Sequence, residues 1–126
     1  MFSVTIPMRT VSEANMTGEH WAKKSKRHKE QRKLIIFIFK PQMPLPISLP
    51  IKITLTRIAP RKLDVGDNLP MSMKTIRDQL AEILTGVDKA GRGDGDERLQ
   101  FEYKQEKGRP REYSVKIELL PITHIP

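Results

Sequence analysis

The chain has 126 residues, with 23 Lys and Arg against 15 Asp and Glu and a net charge of +8. That length suits one domain, 1-126, large enough to bury a core without cross-links. There is no cysteine, which excludes disulfides, thiolate metal sites and cysteine nucleophiles.

The first residues, Met1 to Pro7, lack a basic stretch followed by a long apolar one, so no signal peptide is expected. The most apolar run, Leu34 to Phe39, is far shorter than the about 20 residues that cross a bilayer. The expectation is a soluble, cytoplasmic protein with no membrane partner. Its positive excess favours a polyanionic partner. The acids gather in two loops, and a nuclease needs that contrast between a basic surface and a small acidic pocket.

Phe2 to Met8 alternates and predicts a strand, with Pro7 at its end or edge. Glu19 to Lys33 holds Lys23, Lys24, Lys26, Arg27 and other cations with no Gly or Pro, and predicts an exposed helix with Trp21 in the core. The helix should run on through the apolar residues to about residue 40 and end at Pro41, with a strand as the alternative for the β-branched and aromatic run Leu34 to Phe39. Pro41, Pro44, Pro46 and Pro50 then make an extended linker.

Ile51 to Ile58 alternates cleanly, with Ile51, Ile53 and Leu55 on one face and Lys52, Thr54 and Thr56 on the other. An acidic turn follows, running from Asp64 to Asn68. Asn68 suits a helix N-cap and Pro70 the first turn. Met73, Ile76, Leu80 and Ile83 recur at spacings of three and four, which predicts a helix from Met71 to Leu84 closed by Gly86. Lys74 and Asp78 lie four apart on another face of it. A Gly- and Asp-rich loop leads to Asp94-Gly95-Asp96-Glu97. Leu99 to Tyr103 and Tyr113 to Leu119 alternate, and the Gly108-Arg109-Pro110 turn between them predicts a hairpin. These elements amount to an α+β fold: a small mixed β-sheet of about four strands with two main helices.

The run Asp64-Val65-Gly66-Asp67-Asn68-Leu69, followed by Lys74 and Asp78 on a helix and by Asp94-Gly95-Asp96 before a strand, resembles the RusA-like family of Holliday junction resolvases. The resemblance covers about residues 50–120. Two residues, Val65 and Gly66, separate the aspartates where the family pattern has one, and Lys74 comes later after Asn68. Gly66 can absorb the first change through unusual backbone angles. The resemblance implies a homodimer that depends on Mg²⁺, with Mn²⁺ as a substitute, and that makes paired nicks in a DNA four-way junction.

By that resemblance Asp64, Asp67 and Asp96 are the metal ligands, since Mg²⁺ prefers carboxylate oxygens. Lys74 stands beside the scissile phosphate and completes the catalytic set with the three aspartates. Asn68 and Asp78 support it, although Asn68 also suits a plain capping role. Lys23, Lys24, Lys26, Arg27, Arg57, Arg61 and Lys62 are the expected DNA contacts. Two other readings stay open: a DNA-binding module of the same fold without cleavage, and a small basic interaction protein whose acidic loops are only turns.

Overall fold

In the computed structural model the described residues are 2–11, 21–63, 68–86 and 96–122. Four strands, β1 (Phe2–Ile6), β2 (Ile51–Ala59), β3 (Leu99–Lys107) and β4 (Ser114–Pro121), form one sheet in the spatial order β1-β4-β2-β3. Helix α1 (Trp21–Leu34) continues through a π-helical turn (Ile35–Phe39) into the short α2 (Lys40–Gln42). After β2 come α3 (Asn68–Ser72) and α4 (Lys74–Thr85), separated by Met73. This is the small α+β fold with a mixed sheet that the sequence predicts.

The apolar parity of β2 decides where the core sits. Ile53 lies between Leu119 of β4 and Phe101 of β3, and Leu55 lies between Ile117 and Tyr103. Residues in register share a face, so these side chains make one apolar sheet surface. It is buried with Ile35 and Phe39 of the π turn and with Met73, Ile76 and Leu80 of the crossover helices. The opposite face is polar. There Lys52 and Lys104 pair with Glu102, and Lys116 pairs with Glu118. Thr54 and Thr56 lie on the same face and are nonetheless buried.

Three expectations need correction. β3 and β4 do not form a hairpin: β2 lies between them, parallel to β3 and antiparallel to β4. The segment at Gly108 therefore crosses the end of β2, and its N–H donates to the Ala59 carbonyl at 2.7 Å. Trp21 is not in the core but 75% exposed. Pro41 does not end the helix ahead of itself; it sits inside the last turn, which closes at Gln42. The π turn before it has already moved the bonding away from the α-helical pattern, with the Lys40 N–H reaching the Ile35 carbonyl. A missing N–H costs less there.

Gly86 closes α4 in the left-handed conformation at φ 74°, as predicted, and its N–H donates to the Glu82 carbonyl at 2.8 Å.

Candidate functional site

Helix α4 turns Ile76 and Leu80 inward and leaves Lys74 and Asp78 on its outer side. The Lys74 ammonium donates to the Asp78 carboxylate at 3.3 Å. Helix α1 packs beside α4 and is built differently. It has no apolar stripe, and its one buried residue is Gln31, whose amide donates to the Arg9 carbonyl at 3.1 Å. The cations of α1 consequently stay outside: Lys23, Lys24 and Lys26 are exposed, while Arg27 and His28 are half-buried.

A groove of about 290 Å³ lies between the two helices. Lys24, His28 and Arg32 line it from α1, and Met71, Lys74, Thr75 and Asp78 line it from the α3–α4 segment. The structure thus joins part of the predicted DNA-binding set to the predicted catalytic lysine and its supporting aspartate. Arg77 was not singled out by the sequence. Its guanidinium lies 4.8 Å above the Phe101 ring and donates to the Tyr103 hydroxyl at 3.0 Å, fastening α4 to β3. Nothing local marks this role, because both partners belong to a strand brought in by long-range pairing.

Asp96 stands on the turn into β3. Arg98 donates to its carboxylate three times, from the backbone at 2.9 Å and from Nε and Nη2 at 3.0 and 2.7 Å. These bonds hold the Asp96 carboxyl down to a pKa of about 2, the side-chain bonds of Arg98 being the main cause. Asp96 is therefore ionised at any ordinary pH, with Arg98 as its present counter-ion.

The parallel pairing of β2 and β3 separates Leu63, the last described residue before the acidic turn, from Asp96. The chain leaves β2 where Ala59 stands beside Lys107 and enters β3 where Leu99 stands beside Ile51. Leu63 is fixed at the first of these ends: its N–H and carbonyl bond the Gln105 side chain at 2.8 and 2.7 Å. Asp96 is fixed at the second, where the Ile51 N–H donates to the Arg98 carbonyl at 2.8 Å. Six steps along the strand, from Leu99 to Gln105, lie between them, or about 20 Å at the usual rise. Asp64 and Asp67 lie outside the described residues, directly after Leu63. Asn68 opens α3 and is half-buried. Among the described residues, no three His, Asp or Glu side chains form a metal-binding group. Of the proposed ligands only Asp96 is described, and both its oxygens already accept from Arg98.

Of the remaining predicted DNA contacts, Arg61 and Lys62 are exposed just beyond β2. Arg57 is not on the open surface but lines a concavity with Arg9 and Arg61. It is 6% exposed, and it bonds Thr10 and the Arg61 carbonyl. Burial lowers its pKa. The signal was present in the sequence, since Arg57 shares its parity with Ile51, Ile53 and Leu55 and so points to the apolar face.

No helix among the described residues is long and apolar enough to cross a membrane. No family model matches the chain, and no curated protein matches its sequence.

Proposed function

We propose that the protein is a Mg²⁺-dependent, structure-selective endodeoxyribonuclease that acts on four-way junctions as a homodimer. The groove between α1 and α4 carries this reading. It gathers Lys24, His28 and Arg32 of α1 with Lys74 and Asp78, which stand on a helical segment that begins at Asn68, the last residue of the acidic turn. Such a groove can receive a phosphate backbone on its α1 side and bring Lys74 to one phosphate, with Asp78 holding the ammonium in place.

The distance between Leu63 and Asp96 favours a site shared by two copies of the chain. In a two-fold pair that sets the end of β2 in one copy against the start of β3 in the other, two equivalent sites would result. Asp64 and Asp67 of one copy, with Asp96 of the second, would hold the ion. When bound, the ion supplies Lewis-acid stabilisation of charge on the phosphate oxygens. Two such sites related by a two-fold axis would account for paired nicks.

The test is cleavage of a synthetic four-way junction with Mg²⁺, compared with the Asp67→Asn protein. Symmetric nicks by the wild type, lost in the variant, are the expected result. No nicking by the wild type at any Mg²⁺ concentration would overturn it. The engagement of both Asp96 oxygens by Arg98 favours a second reading, a DNA-binding module of the same fold without cleavage. Tight junction binding with no cutting would select that reading.

A further inference from the structure

Away from the α1–α4 groove, three arginines surround a concavity of about 340 Å³ where β1 and β2 end. Arg9, Thr10, Arg57, Arg61 and Tyr113 line it, and apolar side chains complete the wall. Among the described residues, none that lines it is acidic. The buried Arg57 donates Nε to the Thr10 hydroxyl at 2.9 Å, Nη1 to the Arg61 carbonyl at 2.6 Å and Nη2 to the Thr10 carbonyl at 3.4 Å. All three acceptors are neutral, so they orient the guanidinium without cancelling its charge. A buried cation is costly without an anion close by.

The second arginine is also held. The Arg9 guanidinium lies 4.6 Å above the Tyr113 ring, and the Arg9 carbonyl accepts from Gln31 of α1. The third, Arg61, is exposed, and its carbonyl is fixed by Arg57. The segment after β1 is thus pinned from α1 and from β2, and two outer guanidiniums flank a buried one. Guanidiniums suit phosphate because their planar N–H pairs match its oxygens.

We propose that this pocket seats one phosphodiester group of a bound DNA strand, with Arg9 and Arg61 as its ligands and Arg57 as the buried charge beneath. The net charge of +8 and the cationic α1 favour a polyanion over a small carboxylate ligand. The inference rests on the DNA-binding part of the reading above, not on cleavage.

The experiment measures binding of a short DNA duplex and a four-way junction across a salt series, for the wild type and for Arg9→Gln/Arg61→Gln. Arg57 is left intact because its bonds hold the fold. The double variant should bind about tenfold more weakly at low salt, and its dependence of log affinity on log salt should lose about one unit of slope. Unchanged affinity and slope overturn the proposal. Should the double variant melt early, titration of the wild type with inorganic phosphate decides. Saturable shifts of the Thr10, Arg61 and Tyr113 amide resonances support the seat, and shifts confined to α1 overturn it. Phosphate binding in the pocket with unaltered DNA binding by the variant also overturns it, because the seat would then not be for a strand. A protein that binds DNA through this pocket but never nicks a junction defeats the nuclease reading and leaves the pocket standing. One that nicks, with binding untouched in the double variant, defeats the pocket alone.

Discussion

Arg98 governs what Asp96 can do. Its three hydrogen bonds keep the carboxylate ionised and in place, and they occupy both oxygens that a cation would need. Asp96 contributes to stability in the usual sense for a depressed acid. The contribution is present above the unfolded value of about 3.9 and is lost as pH falls through the folded value of about 2. Arg98, its partner, is 55% exposed, so solvent screens the pair and the effect on stability is small. The titration itself is the sharper readout. In Arg98→Ala the Asp96 midpoint should climb towards about 4, followed by its carboxyl carbon shift against pH. A midpoint that stays near 2 would mean that another group depresses it. The same variant should bind a divalent cation at Asp96 more readily, because the competing guanidinium is gone.

At the scale of elements, the crossing at Gly108 is a tightly constrained piece of backbone. A Cβ there would stand 3.2 Å from the Glu112 carbonyl oxygen and 3.2 Å from the Ile58 Cγ2. The nearby Glu112 carboxylate, which accepts from the Arg109 N–H, can swing away; the carbonyl and the strand cannot. Gly108→Val should therefore cost about 1–3 kcal/mol, read as a lower urea midpoint with an unchanged slope. A variant as stable as the wild type would show that the crossing has room. This crossing also marks where the sequence misleads. Alternation identified β2 and parts of β3 and β4, and the three-and-four spacing identified Met73, Ile76 and Leu80 as the buried face of the crossover helices. Those patterns are local, and they carried through. Strand partners are not local. A short Gly-Arg-Pro turn fits a hairpin equally well, and only the pairing of β2 on both sides reveals that it spans a third strand. Trp21 misleads for a related reason: α1 has no apolar stripe, so residue type alone gave no face to assign it to.

For the whole molecule, the parallel βαβ unit matters most. It puts the residue before the acidic turn at one end of the sheet and Asp96 at the other. The order of acidic residues along the chain gave the candidate ligands but not this separation, because order in sequence says nothing about which end of a sheet a loop reaches. Under the proposed function the acidic turn of one copy meets Asp96 of the other across a two-fold axis, and a shared site then makes activity a property of the pair. Mixing inactive chains tests that directly. Asp67→Asn and Asp96→Asn proteins, each unable to nick a four-way junction alone, are unfolded together, refolded and assayed with Mg²⁺. A mixed dimer keeps one intact site, made of Asp67 from one chain and Asp96 from the other, so nicking of one strand per junction should return. A mixture as inactive as its components, beside an active wild type, would contradict a site shared between two copies.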